Sequence, residues 1–190
     1  KHWDSHLVQG VLEYFAGRER DYHLVANLQN GPHTLEGTDF PIIDRIMTEE
    51  RAREFYQQIH FLSDFQELDK EAVIKMSIVV DEEQTSSVTQ RINQDFAGRL
   101  NAVTSGYGAI DLLPVGIHKG WGLRSLMERW KIDTDQIMAF GDSENDLEML
   151  ELVGYSFAME NGEEKVKRMA KYIAPSNSEA GVLQVLEQYL

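Results

Sequence analysis

Cysteine is absent from the 190-residue chain. This excludes disulfides and any zinc site built on thiolates. The absence agrees with a reducing compartment, and a cytoplasmic location is expected. Long apolar runs are missing too: none approaches the roughly 20 residues that a membrane-spanning helix needs. No leader segment is visible, and the first residue is Lys1 rather than Met, so the chain is expected to begin after processing, cloning or truncation. Basic charge is also in short supply. Eighteen Lys and Arg face 32 Asp and Glu, for a formal net charge of -14. That balance argues against nucleic acid and anionic membrane surfaces as partners, since both select basic patches. It leaves room for a small phosphorylated molecule, because one metal ion and one Lys can dominate a local site. Internal repeats and low-complexity tracts are absent as well.

What is present suits a folded protein. Hydrophobic residues make up 42% of the chain and charged residues 26%, ordinary values for a globular chain long enough to bury a core. The first 113 residues group helices and paired strands in an α+β manner. Apolar residues at near-helical spacing over 1–20 predict a helix stopped near Gly17. Gln29-Asn-Gly-Pro32 separates strands expected over 22–28 and 33–36, and residues 37–45 are expected to be loop. Thr48 is placed to cap a helix running to about His60. A β-rich stretch at 72–80 precedes a helix opened by Asp81-x-x-Gln84, and Ser105-Gly106 marks a second hairpin. Beyond Pro114 strands and helices alternate: helix 119–130, strand 137–140, helix to about 153, strand 155–159, helix 163–171, strand 172–174 and helix 179–190. Alternation with short links means parallel strands. Two domains are therefore expected, 1–113 and 114–190.

Chemistry concentrates in Gln136-Ile-Met-Ala-Phe-Gly-Asp-Ser-Glu-Asn-Asp-Leu-Glu-Met-Leu150. A short buried strand ends at Gly141, and Asp142 and Asp146 flank the turn at its carboxyl end, where open α/β sheets bind ligands. Ser143-x-x-Asp146 also fits the spacing of a capping box, and acidic residues suit a helix N-terminus. Such a cap needs no function, and it leaves Asp142 unexplained. Two carboxylates about 4 Å apart repel by about 1 kcal/mol in water and about 4 at an effective dielectric of 20. A hard cation such as Mg²⁺ would reverse that cost. Upstream, Lys119 follows Gly116 at the start of a helix, a position suited to anion capture and equally to a solvated Lys beside a turn. His118 reads as a packing or surface residue and Glu144 as compensation of the helix dipole. Asn145 is either a tolerated first-turn residue or an amide reaching a phosphate oxygen.

Taken together these residues resemble the haloacid dehalogenase superfamily, in particular its Cof-like sugar-phosphatase group with a large α+β cap. Gly116-Ile-His-Lys-Gly120 is similar to the third motif of that family and Gly141-Asp-Ser-Glu-Asn-Asp146 to its fourth. Ser156-Phe-Ala-Met-Glu-Asn161 and Ser176-Asn-x-x-x-Gly-Val182 resemble its closing segments, and Thr104-Ser-Gly-Tyr-Gly-Ala-Ile-Asp111 the end of its cap. The resemblance implies an α/β fold: the C-terminal half of a Rossmann-like parallel-sheet core plus an α+β cap. It implies a Mg²⁺-dependent phosphatase in which an aspartate attacks phosphorus and water hydrolyses the aspartyl-phosphate. Asp142 would then be a metal ligand, and Asp146 a further carboxylate of the metal site. Lys119 would bind the phosphoryl group and serve catalysis with Asp142, and Asn145 would touch phosphate.

The family's first motif, Asp-x-Asp-Gly-Thr, occurs nowhere in the chain, and no Ser/Thr-Gly pair precedes the cap to serve as the second. The intact protein is thus expected to be a phosphoric monoester hydrolase acting on sugar phosphates or similar small phosphoesters. Its nucleophile would lie in a further N-terminal segment, and the present chain alone would be inactive. A phosphosugar mutase of the same superfamily and a non-catalytic binding module that kept the fold are the alternatives. Nothing in the sequence specifies an oligomeric state.

Overall fold

The computed structural model describes residues 3–41, 43 and 47–189. It divides into two compact units, Lys1–Val115 and Gly116–Leu190.

In the first unit Asp4 opens α1 (Ser5–Phe15) by accepting the main-chain N–H groups of His6 and Leu7 at 3.0 and 3.2 Å. Val8, Val11, Leu12 and Phe15 recur every three or four residues, and the helix buries this stripe. β1 (Val25–Leu28) and β2 (Gly31–Leu35) form a tight hairpin with Leu28 opposite Gly31. Pro32 thus stands inside β2 rather than in the turn. α2 (Glu49–Gln57) begins behind Thr48, whose hydroxyl accepts from Arg51 N–H. It stops short of His60, which instead starts β3 (His60–Leu62), a short strand parallel to β2. The loop expected over 37–45 falls partly outside the described residues; Pro41 and Ile43 are helical.

β4 (Lys75–Val79), α3 (Glu82–Asp95), β5 (Leu100–Gly106) and β6 (Ala109–Pro114) complete the unit. Asp81 makes no side-chain cap at α3; its carbonyl accepts from Gln84 N–H at 2.9 Å instead. The second hairpin turns at Tyr107 and Gly108, both at positive φ, two residues beyond the expected Ser105-Gly106. The strand order is β3-β2-β1-β4-β6-β5, with every pairing antiparallel except β2 with β3.

Strand alternation divides this sheet into two faces. Met76, Ile78, Ile110 and Leu112 are buried in one core cluster with Val8 and Phe15 of α1 and Val88 and Ile92 of α3. Lys75 and Asp111 lie at alternate positions, joined by a 2.8 Å ion pair. Tyr14 ties the two helices together through a 2.7 Å hydrogen bond donated to Asp95. Burial, and then the Asp95 carboxylate, push its phenol pKa up. The outer edge of β5 is closed by Asn93 of α3. Its amide donates to Ala102 O at 2.9 Å, and its carbonyl accepts Ala102 N–H at 2.7 Å.

The second unit is a three-stranded parallel sheet, β7 (Met138–Gly141), β8 (Tyr155–Met159) and β9 (Tyr172–Ala174), in that order. α4 (Lys119–Trp130) precedes it, α5 (Leu147–Leu152) and α6 (Glu164–Met169) link its strands, and α7 (Gly181–Leu186) follows. One face buries Ala139 and Ala158 against Leu150, Val153 and Val166, with Leu123 of α4 packed alongside. The other packs Phe157, Met159 and Ala174 against Val185 of α7. Helices on both faces and strands buried on both sides are the mark of α/β architecture. The fold is therefore α/β with a parallel core sheet, joined in sequence to an α+β unit.

Two outcomes follow for the first unit. Asn93→Ala leaves both main-chain groups of Ala102 without their partner. It should lower unfolding free energy by about 1–3 kcal/mol in denaturant titration, and Asn93→Asp, which keeps the acceptor, should lose less. His33 is buried and stacked on His60, ring centroids 4.5 Å apart. Burial depresses its pKa, and His60 adds to the effect while the Gly31 carbonyl opposes it. In the unfolded chain the imidazole protonates near its ordinary value of about 6.5. The native state takes up that proton only at lower pH, so stability falls as pH drops below this value. Thermal melts from pH 7.5 to 5 should show the loss, and His33→Asn should flatten it.

Candidate active site

The carboxyl ends of the parallel strands collect the polar residues of the second unit. Gly141 ends β7, and a Cβ placed on it would lie 2.5 Å from the Asp146 Cβ. The chain therefore folds back tightly enough to set Asp146 beside the strand end. Ser143 starts a single 3-10 turn, Glu144–Asp146, and only then does α5 begin. Asp146 Oδ2 accepts the main-chain N–H groups of Asp142 (3.0 Å) and Ser143 (3.4 Å). Its Oδ1 accepts from Lys119 Nζ at 2.5 Å. The Asp146 side chain is 6% exposed, while that of Lys119 is 49% exposed. The carboxylate is thus a buried anchor, and the ammonium keeps donor capacity on the solvent side.

Lys119 Nζ also donates to Asn145 Oδ1 at 3.2 Å, and Ser143 Oγ donates to the same oxygen at 2.7 Å. Lys119 is delivered by the first turn of α4. His118 caps that helix by accepting Trp121 N–H on Nδ1 at 3.3 Å. Gly120 lets α4 approach α5, since a Cβ there would stand 2.7 Å from Glu148 O. The structure therefore brings together Lys119, Asn145 and Asp146. It links Asp142 to them through its own N–H. The Asp142 side chain is exposed and takes no hydrogen bond or ion pair among the described residues. Glu144 faces outward and pairs with Lys165 at 2.8 Å. The capping box read for Ser143 and Asp146 is present in this turn.

No group of three or more His, Asp or Glu is arranged to hold a metal among the described residues. The donors that fit a hard cation are the Asp142 carboxylate and, behind it, the already engaged Asp146. One carboxylate free of protein partners suits Mg²⁺, which keeps several waters and takes few protein ligands. A segment that the sequence reading left without a role also reaches the turn: Glu163 N–H donates to Asp142 O at 2.8 Å. The signal for it was the resemblance of the neighbouring residues 156–161 to a family segment.

Residues 19–186 match the family model of the haloacid dehalogenase-like hydrolases. Over 180 residues the chain is 33% identical to a 5-amino-6-(5-phospho-D-ribitylamino)uracil phosphatase of Escherichia coli (strain K12), covering 95% of this chain and 64% of that protein. A solved protein of Streptococcus mutans UA159 matches 100% of the chain with a TM-score of 0.78 at 30% identity; 69% of that protein is covered. A haloacid dehalogenase-like hydrolase from B. subtilis superposes with a TM-score of 0.80, over 100% of this chain and 72% of that one. At 21% identity this last match speaks for the fold alone. With its parallel sheet, and with Lys119, Asn145 and Asp146 converging after β7, the chain belongs to the haloacid dehalogenase-like hydrolases.

Proposed function

We propose that the intact protein is a Mg²⁺-dependent phosphatase of sugar phosphates or closely related small phosphoesters, working through an aspartyl-phosphate. The observation that carries this reading is the Lys119 ammonium, fixed by buried Asp146 and Asn145 beside the unpartnered carboxylate of Asp142. The E. coli relative is named for a ribityl phosphate ester, a sugar-alcohol phosphate, and this is the first substrate to try. The region 1–113 is read as an α+β cap domain and 114–190 as the C-terminal half of the catalytic core.

Charge counting supports the metal. Lys119 and Asp146 cancel, so the Asp142 carboxylate, with Glu163 next to it, leaves the site negative, which repels a phosphate dianion. A divalent cation, if held by Asp142, would supply neutralisation of the charge on the transferring phosphoryl group. Lys119 then donates to a phosphate oxygen from its exposed side without leaving Asp146, because an ammonium has three protons to give. Asn145 is held with its carbonyl toward Lys119, which directs its amide N–H groups away from that contact and toward substrate. Asp146 holds Lys119 and the 142–143 backbone rigid, so little reorganisation remains when charge shifts in the transition state. The nucleophilic aspartate is read as lying beyond the residues of this chain, where the Asp-x-Asp-Gly-Thr motif would be found.

Two outcomes are expected. In the intact protein, Asp142→Asn should lower kcat on the order of 10²–10³-fold and abolish the response to added Mg²⁺, measured by phosphate release from a panel of sugar and sugar-alcohol phosphates. Wild-type turnover with unchanged metal dependence in that variant would overturn the site assignment. The 190-residue chain by itself should release no phosphate, since groups that act as a unit fail together when one is missing. Turnover that co-purifies with the chain and disappears in Asp142→Asn would place a nucleophile within these residues and refute this.

A further inference from the structure

We infer that Gly162, with Asn161 beside it, is a positioning residue for Asp142; the inference rests on the reading of Asp142 as a metal ligand. Gly162 follows β8, and its N–H donates to Met159 O at 2.9 Å. A Cβ built on it would lie 2.9 Å from both Cα and O of Asp142, and 3.0 Å from Met159 O. Those neighbours are backbone atoms, which cannot swing aside as the end of a flexible side chain can. The φ of Gly162 is not among the positive values in the chain, so space rather than backbone conformation requires glycine here. Immediately beyond it, Glu163 N–H donates to Asp142 O at 2.8 Å. The main chain of Asp142 is thus held on one side by Asp146, through its N–H, and on the other by residues 162–163, through its carbonyl.

Asn161 extends this contact to the end of the third strand. Its Oδ1 accepts Asn177 N–H at 2.9 Å and the Ser176 hydroxyl at 3.2 Å, and Glu160 N–H donates to Ala174 O at 2.9 Å. The loops after β7, β8 and β9 are joined in sequence: Asp142 to 162–163, and 161 to 176–177. The Asp142 carboxylate has no side-chain partner of its own to orient it. Where that carboxylate can reach is therefore set by the backbone that carries it, which the bonds to Asp146 and Glu163 hold and against which Gly162 packs. Groups behind a metal ligand are commonly worth about 10–100-fold in metal affinity.

The test is a calorimetric titration of the intact protein with Mg²⁺ alone, alongside thermal melts with and without the ion. Gly162→Ala should weaken Mg²⁺ binding by about tenfold or more and shrink the Mg²⁺-dependent rise in Tm. Gly122→Ala, where a Cβ meets nothing within 4 Å, should bind Mg²⁺ as wild type does. A Gly162→Ala protein that melts lower yet binds Mg²⁺ with wild-type affinity would overturn the inference, leaving the glycine a purely structural role. Asp142→Asn separates the two claims. If it binds Mg²⁺ normally, the metal reading fails and this inference with it. If it loses binding while Gly162→Ala does not, only the positioning role fails.

Discussion

The buried carboxylate of Asp146 is the constraint on which the second unit's functional end depends. It joins residues 27 positions apart in the chain, Lys119 on α4 and the turn after β7. Both of its oxygens are used, by one ammonium and two main-chain N–H groups. A carboxylate shielded from water is costly unless it is satisfied in this way. The same bonds that remove that cost also fix where the ammonium points. Stability and site geometry are therefore the same interaction, and close glycine contacts at Gly120 and Gly141 are what allow the backbones to come near enough to make it.

The two units solve their packing differently, and the difference follows from their strand connections. In the first, hairpins produce antiparallel ladders, with helices α1 and α3 sharing one core with the sheet. One of its two edges is β5, and Asn93 satisfies the Ala102 N–H and carbonyl there that would otherwise be open to pairing with another chain. In the second, helical crossovers force the strands parallel and bury both faces. Phe140, Phe157 and Tyr172 stand in register across the three strands, with ring centroids 5.2 and 5.1 Å apart. Parallel strands also bring all their carboxyl ends to one edge, which is why the loop after β8 can bond both Asp142 and the loop after β9.

Much of this was legible in the sequence where periodicity and polar chemistry agree. α1 shows its buried stripe, and the alternation after Pro114 shows the parallel sheet. The turn from Gly141 to Asp146 was legible because its carboxylates, amide and glycine are contiguous. Lys119 stood out because it opens a helix behind a glycine. Other features depend on contacts that no local pattern carries. β3 is three residues long and takes its identity from pairing with β2, so His60 reads locally as the end of a helix. The second hairpin turns at Tyr107 because a non-glycine residue there accepts positive φ, against the usual preference for Ser-Gly at such a spot. The contact of Gly162 with Asp142 is a backbone approach between strands, and glycine in a loop looks the same whether it is crowded or free.

In a chain of net charge -14 the field at any one place on the surface is decided locally. At physiological ionic strength exposed charges more than about 8 Å apart are largely screened from one another, so most of the 32 acidic residues have little influence on the site. What remains is the set of groups within one or two contacts of Asp142. Glu144 is answered by Lys165, and Asp146 by Lys119. Asp142 is left with an unpaired carboxylate at the carboxyl end of β7, and Glu163, exposed and bonded to Asp142 O through its N–H, adds a second negative charge nearby. An uncompensated carboxylate in such a place repels anions and favours cations.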